Sequence, residues 1–211
     1  NADNDYSCMV TKGVAGQDDL TPQQLDLVPM EVSEDKTQAK VYLFDVYGRG
    51  HAKFYQEIWV PMKDGKIIPE YEGQRLSRLS VVRRYADGSR HIVNGLFKGV
   101  TVDSGAVCTS FPAPVPYLVI VGNDSGEMCF CAKEVDKYSG ACIVTDNQEI
   151  KSVMPIEIYG MMANMTIEEL TSHADEIDAE LEKLGNLNQG EPVVNKLLSL
   201  FISLHRFRFM E

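Results

Sequence analysis

Apolar positions between residues 39 and 160 come in short alternating or continuous runs separated by turn signals. Residues 40–47 and 54–60 are rich in β-branched and aromatic residues, which favour strands. Asp-Gly pairs at 64–65 and 87–88 are typical of type I′ hairpin turns. Further strands are predicted at 78–85, 91–93, 95–102, 106–111, 117–121, 127–135, 141–145 and 153–159. Short strands at this spacing predict an antiparallel β-sandwich or a small β-barrel.

The C-terminal part of the chain has the period of helices. Thr166 followed by Glu169 fits a capping box, and apolar residues then recur every three or four positions up to Leu184. A second helix is predicted from about 192 to 205 and is apolar on most of its circumference. Because such a helix needs cover on more than one side, it either packs between the sheet and the first helix or binds a partner.

The first 38 residues are polar and acidic. They predict an irregular lead-in with one short helix that starts at Thr21-Pro22. We divide the chain into an acidic lead-in (1–38), a β domain (39–160) and a two-helix C-terminal segment packed on the β domain (161–211). The predicted class is α+β, because no helix-length pattern interrupts the strands.

The formal net charge of −11 is concentrated in two stretches. Residues 1–36 carry eight acidic and two basic residues, and residues 166–184 carry seven acidic residues and one basic residue. Nucleic acid is a poor partner for such a chain because its phosphates would be repelled. Hydrophobic residues make up 44% of the sequence, which is enough for a substantial core.

The sequence begins with Asn1-Ala2 rather than methionine. We interpret this pair as a scar of tag removal and expect that a signal peptide was removed, with a disordered or membrane segment as the alternative. No stretch reaches the roughly 18 consecutive apolar residues of a membrane-spanning helix, so no membrane span is predicted. The predicted location is secreted or periplasmic.

Four of the five cysteines lie between residues 108 and 142. Cys129 and Cys131 share one face of the predicted strand, and Cys108 and Cys142 lie on predicted neighbouring strands. These four cysteines are candidates for two cross-strand disulfides, but they are equally compatible with buried free thiols. A zinc site is disfavoured because there is one Cys-x-Cys and no histidine close by in sequence. No metal and no cofactor are predicted.

A basic strip precedes the cysteines. Because little acidic charge opposes it, the strip is a candidate site for an anion or a protein partner. The alternative is that these arginines are solvated or pair with the chain's own acids, for which the acidic stretch 166–184 is available. The candidate residues are Arg75, Arg78, Arg83, Arg84 and Arg90.

One catalytic pairing is conceivable, between Cys108 and His91. A cysteine nucleophile needs a nearby base, and a histidine is the usual one. A histidine on one strand with a cysteine a strand later resembles the arrangement of L,D-transpeptidases. That family carries Ser-His-Gly-Cys-x-Arg, whereas residues 104–108 read Ser-Gly-Ala-Val-Cys.

No other catalytic motif occurs in the sequence. We therefore predict an extracytoplasmic, non-enzymatic binding or assembly module whose partner is a protein. One alternative is a Cys-dependent hydrolase or transpeptidase that uses Cys108 and His91. The other is a β-barrel that binds a small apolar ligand.

Overall fold

The computed structural model describes residues 18–47, 51–85, 89–111, 117–158, 160, 162–186, 192, 193 and 197. Within these residues the chain forms one ten-stranded sheet, a two-stranded ribbon and two α-helices, which confirms the predicted α+β class. The sheet is open, so the finer prediction of a sandwich or barrel is met only loosely. Helices cover its faces, and the sheet does not close on itself.

The strands and helices have the following bounds. The strands are β1 (Glu31–Val32), β2 (Gln38–Tyr47), β3 (His51–Lys63), β4 (Lys66–Ile67), β5 (Glu70–Tyr71), β6 (Gln74–Arg75), β7 (Ser77–Arg84), β8 (Arg90–Lys98), β9 (Ala106–Thr109), β10 (Tyr117–Gly122), β11 (Ala141–Asp146) and β12 (Glu149–Pro155). The helices are α1 (Ser125–Val135) and α2 (Ile167–Lys183).

The strand order in the large sheet is β12-β11-β9-β10-β7-β8-β2-β3-β4, with β1 paired to β2. The described neighbours are antiparallel except β2 and β8, which run parallel with Leu43 opposite Leu96. A hydrophobic cluster holds the β8-β2-β3 end of the sheet together. Its buried members are Ala39, Val41, Leu43, Ile58, Val60, Leu76 and Leu96.

Two hairpins turn at pairs of residues with positive φ. Asp64 (φ 51°) and Gly65 (φ 74°) join β3 to β4, as the Asp-Gly signal predicts. Asn147 (φ 55°) and Gln148 (φ 57°) join β11 to β12 in the same way. The predicted turn at 87–88 lies outside the described residues.

Residues 127–135 form part of helix α1, so the predicted strand there is wrong. The Asp124 carboxylate caps the helix by accepting a hydrogen bond from the Glu127 amide at 2.9 Å. The residues buried on one side of the helix stand at helical spacing: Met128, Cys131, Ala132 and Val135. The Asp124 cap and the helical spacing of the buried residues together outweigh the strand preference of the individual side chains.

The two helices cover opposite faces of the β10-β9-β11-β12 region. Helix α1 connects β10 to β11 and packs on Ala106, Cys108, Ile120 and Ile143, which we call the α1 face. Helix α2 buries Ile177 and Leu181 against the other side of the same strands. We call this side the α2 face; its residues include Val107, Val119, Cys142, Val144, Met154 and Ile156.

The lead-in is anchored to α1 within residues 18–26. Leu20 and Leu25 are each 1% exposed and belong to the α1-face cluster. The Cys129 thiol donates to the Leu20 carbonyl at 3.3 Å, and the Asn94 amide donates to the Gln24 carbonyl at 2.9 Å. The predicted short helix is confirmed as a 3-10 helix at Pro22–Leu25.

Helix α2 confirms the predicted capping box. The Glu169 amide donates to the Thr166 hydroxyl at 3.2 Å, and the Thr166 amide donates to the Glu169 carboxylate at 2.8 Å. The predicted second helix lies mostly outside the described residues, although Val193 and Leu197 are helical and buried. No helix in the described part of the chain is long and apolar enough to cross a membrane.

Candidate functional site

A cavity of about 650 Å³ lies between the α2 face and helix α2. Side chains of three strands form its floor: Thr109 of β9, Cys142 of β11 and Met154 of β12. The loop before α2 and the first half of α2 form its wall. Apart from hydroxyls and carboxylates at a few positions, the lining is apolar, as is usual for sites that hold small molecules.

The mouth of the cavity carries apolar side chains that reach solvent. Met162 is 52% exposed, Ile167 is 73% exposed and Leu170 is 36% exposed. All three line the cavity, and we call them the apolar rim. Single exposed apolar residues are ordinary, so these three show only that part of the apolar lining of the cavity is accessible to solvent.

The floor contains a thiol that stays protonated at neutral pH. Burial, with a smaller contribution from the nearby Cys131, raises the pKa of Cys142 to about 12. The Thr109 hydroxyl opposes this rise by hydrogen bonding to the sulfur. Because the thiolate is the reactive form, Cys142 is a poor nucleophile in this setting.

Carboxylates stand at one end of the cavity. Asp175 and Asp178 of α2 both line it. Asp178 accepts a hydrogen bond from the Val193 amide at 2.7 Å, which ties the chain after α2 back to the helix. Pro192 and Leu197 belong to the wall at this end.

Ser110 fixes the loop that forms the near wall. Its hydroxyl donates to the Gly160 carbonyl at 3.2 Å and accepts from the Ala141 amide at 3.0 Å. Gly140 (φ 147°) allows this close approach, because a Cβ there would lie 2.4 Å from the Gly160 Cα. The end of β9 therefore holds the loop between β12 and α2 in place.

The predicted disulfides are wrong for the four described cysteines, all of which are buried free thiols. Cys108 and Cys142 lie on paired strands as expected, but Cys108 faces α1 and Cys142 faces α2. Cys129 and Cys131 lie on a helix, where positions two apart point in different directions. The thiols thus serve as small core residues.

The Cys108–His91 pairing is also wrong. In the sheet, β10 and β7 lie between β9 with Cys108 and β8 with His91. Three strand spacings separate the two residues by roughly 14 Å, which is far beyond hydrogen-bond reach. Burial and the hydrogen bond with Cys131 also raise the pKa of Cys108 well above its usual value.

The described arginines of the basic strip contact groups of the same chain. Arg75 pairs with Asp103, and Arg90 pairs with Asp19 of the lead-in. Arg78 donates to the Ser125 hydroxyl at 2.9 Å and lies 3.9 Å from Asp26. The Arg83 guanidinium stacks on the Tyr85 ring at 4.4 Å. The Arg84 side chain lies outside the described part of the structure, and anion or partner binding at the strip stays a prediction.

The sequence does not predict the cavity. Its residues come from β9, β11, β12, the 156–166 loop, α2 and the chain after α2, so only the strand order brings them together. No motif marks them. Among the described residues, no group of three or more His, Cys, Asp or Glu is placed to hold a metal ion.

Comparison with known proteins identifies relatives of this architecture. Residues 55–204 match the family described as adenine deaminase C-terminal domain. The chain is 24% identical over 165 residues to an adenine deaminase of Desulforamulus reducens, covering 78% of this chain and 28% of that protein. It is 21% identical over 180 residues to an adenine deaminase of Moorella thermoacetica, covering 85% of this chain and 29% of that protein.

A third relative, an adenine deaminase of Oceanobacillus iheyensis, is 30% identical over 105 residues. That match covers 50% of this chain and 18% of the relative. The chain thus spans about a quarter of the length of the curated relatives, 28% and 29% in the two longer matches.

These matches overturn the prediction of a non-enzymatic binding or assembly module, since the relatives are enzymes by name. They equally overturn the two alternatives, a Cys-dependent hydrolase or transpeptidase and an apolar-ligand barrel. Neither the matches nor the free thiols support a secreted, disulfide-linked, protein-binding module. The secreted or periplasmic location itself stays an untested prediction.

Proposed function

Because the chain belongs to the adenine deaminase C-terminal domain family, we propose that it is the corresponding domain of a hydrolase that deaminates adenine. The observation that carries the proposal is the continuity of the match. It runs from β3 through both helices to Leu197 and beyond, and so includes both faces of the sheet. A shared strand or helix alone would not support a shared activity.

The proposed reaction is hydrolytic. The oxygen of water bonds to C6 of adenine, and the bond from C6 to the exocyclic nitrogen breaks. One proton of the water ends on the departing amine, which leaves as ammonia, and the other ends on N1 of the ring. The ring product is hypoxanthine. We assign this reaction to the domain together with the portion that the relatives carry beyond the matched quarter of their length.

Within that enzyme, we assign this chain the role of a rigid domain that positions surrounding loops. Among the described residues, the β10-α1-β11 crossover, the Ser110 contact and the α2 capping box fix the strands and the loop beside the cavity. A rigid domain of this kind can hold surrounding loops in the geometry that a reaction requires.

The test replaces the matched region of the Desulforamulus reducens adenine deaminase by this chain and measures ammonia release from adenine. We expect release well above that of the same enzyme lacking the region. Guanine and cytosine, assayed in parallel, should release far less ammonia than adenine.

The matched control carries the corresponding region of the Moorella thermoacetica adenine deaminase in the same position. This second chimera shows whether a distant family member functions in that context. If the Moorella chimera is active and a folded chimera with this chain is not, the proposed function is wrong.

A further inference from the structure

Residues 18–26 cross the surface that helix α1 and strand β8 form, and we call this segment the strap. It packs on both elements, yet none of its residues pairs with a strand of the sheet. Its regular structure is the single 3-10 turn at Pro22–Leu25. The strap is therefore attached to the domain by side chains and by hydrogen bonds to a few of its carbonyl groups.

Two leucines provide the apolar part of this attachment. Leu20 and Leu25 are both buried, in the cluster that also contains Val82 and Met128. Burying the leucines favours the closed strap. Fixing the backbone of the whole segment opposes it, because each ordered residue loses conformational entropy. With so few buried side chains set against that entropy, the strap is only weakly favoured in its closed position.

Polar contacts fix both ends of the strap. At one end the Arg90 guanidinium pairs with Asp19. At the other end the Asn94 amide donates to the Asp26 carbonyl at 3.2 Å, and the Ser125 hydroxyl donates to the Asp26 carboxylate at 2.6 Å. The side chains of Asp19 and Asp26 are 73% and 54% exposed, and solvent weakens such ionic contacts. These contacts determine where the strap lies more than how strongly it is held.

The structure beneath the strap has its own interactions. Strands β7 and β8 pair along nearly their full length, from Ser77 opposite Phe97 to Arg84 opposite Arg90. Helix α1 has its Asp124 cap and packs on β9, β10 and β11. None of these hydrogen bonds involves the strap. Segments with few buried contacts open at a lower free-energy cost than the whole domain.

We propose that the strap is a conformational device that opens and closes as one unit while the sheet and α1 stay folded. The closed strap covers the side of α1 that carries Cys129, whose thiol donates to the Leu20 carbonyl at 3.3 Å. Opening exposes this side of α1 and displaces the point at which residues 1–17 join the domain. The motion belongs to this domain and does not depend on the proposed deaminase activity.

Thiol alkylation of the full chain measures the opening. Cys129 lies under the strap, whereas Cys108 and Cys131 lie between α1 and the sheet and report on opening of the core. The protein reacts with N-ethylmaleimide under native conditions, and mass spectrometry with fragmentation resolves the three sites. We expect Cys129 to react at least about tenfold faster than the other two, because only the strap must open. Equal rates at the three thiols would overturn the proposal.

A matched pair of truncations shows whether the strap controls the fast rate. Leu25 of the strap and Leu118 of β10 are each 1% exposed and belong to the same cluster. Leu25→Ala should raise the Cys129 rate several-fold and leave Cys108 and Cys131 unchanged, while Leu118→Ala should not raise Cys129 selectively. A parallel rise at all three thiols in Leu25→Ala, an unchanged Cys129 rate, or a selective rise in Leu118→Ala would each contradict the proposal.

Asp19→Ala tests the opposite end of the strap and decides the question even if Leu25→Ala does not fold. The Asp19 side chain is largely exposed, so its truncation leaves the core intact. If the strap opens as one unit, loss of the pair with Arg90 raises the Cys129 rate by a smaller factor, and added salt reproduces this rise in the parent. A Cys129 rate that neither the variant nor salt changes would overturn opening as one unit.

Discussion

The two faces of the sheet are closed in different ways. On the α1 face, the buried residues of the helix and of the strands beneath it are almost completely shielded from water. The α2 face buries Ile177 and Leu181 equally well but has a cavity beside them with an exposed rim. Within the described residues, helix α1 covers its face of the sheet completely, whereas helix α2 leaves a cavity beside it.

The connections of the helices explain the difference. Helix α1 follows β10 after two residues and leads into β11 after a short 3-10 turn, so both of its ends are fixed by the sheet. Helix α2 is reached through the longer 156–166 loop, and its far end leads to Pro192 and Leu197. Both ends of α2 are fixed as well, since the Asp103 amide donates to the Leu184 carbonyl at 2.6 Å. The open part of this face therefore lies beside the long loop at the start of α2, whose residues line the cavity.

The largest expected effect comes from a truncation on the closed face. Met128 of α1 is fully buried, so Met128→Ala should lower the free energy of unfolding by about 2–5 kcal/mol. Met154 borders the cavity and already lacks contacts on one side, so Met154→Ala should lower the free energy of unfolding by less. Urea unfolding of the purified chain measures both values.

Met30→Ala is the control for these truncations. Met30 is 45% exposed, so the same chemical change should stay within about 0.5 kcal/mol of the parent. If Met154→Ala costs as much as Met128→Ala, the two faces are packed equally well and the comparison fails.

Local signals in the sequence predict much of the fold. The strands β2, β3, β7, β9, β10 and β11 follow from apolar runs bounded by turns, and α2 follows from its capping box and its apolar period. Asp124 followed by Glu127, with Met128, Cys131 and Val135 at helical spacing, was a signal for α1 as well. The alternation of Cys129 and Cys131 also fits one face of a strand, so the local sequence carries both signals.

The candidate site could not be predicted in the same way. Thr109, Cys142 and Met154 meet because β11 pairs with both β9 and β12, an order that no local pattern encodes. Asp19 and Asp26 lie in the stretch that is predicted to be an irregular acidic lead-in, yet they contact Arg90 and Arg78 of the sheet. Contacts between residues far apart in sequence determine both the cavity lining and these ion pairs, and apolar periodicity does not predict such contacts.

A smaller effect is expected at the helix caps. Asp124→Ala removes the acceptor for the Glu127 amide and should cost about 0.5–2 kcal/mol, and Thr166→Ala at the start of α2 should cost a similar amount. The two caps should also differ in how strongly their loss exposes the lead-in to proteolysis. Ser125 contacts Arg78 and Asp26, so only Asp124→Ala should increase proteolysis near residues 18–26.

Asp124→Asn is the matched variant for that cap, because its amide oxygen still accepts from the Glu127 amide. It should unfold close to the parent. Increased cleavage of the lead-in by Thr166→Ala would show that the two helices are coupled through the sheet, and the two faces would then not be independent.

The smallest expected effect is the pH response of the α2 start. Hydrogen bonds from the Thr166 amide and hydroxyl lower the pKa of Glu169 below its ordinary value of 4.5. A carboxyl group whose pKa is lowered in the folded state stabilises that state above the unfolded pKa, and the contribution is lost as the pH falls through the folded pKa.

Amide exchange in residues 167–171 should therefore quicken as the pH falls below about 4.5, after correction for intrinsic rates. Glu169→Gln should abolish this step, while the amides of α1 in the same sample serve as the reference. A step of equal size in the Glu169→Gln variant would assign the response to another group and remove this distinction between the helices.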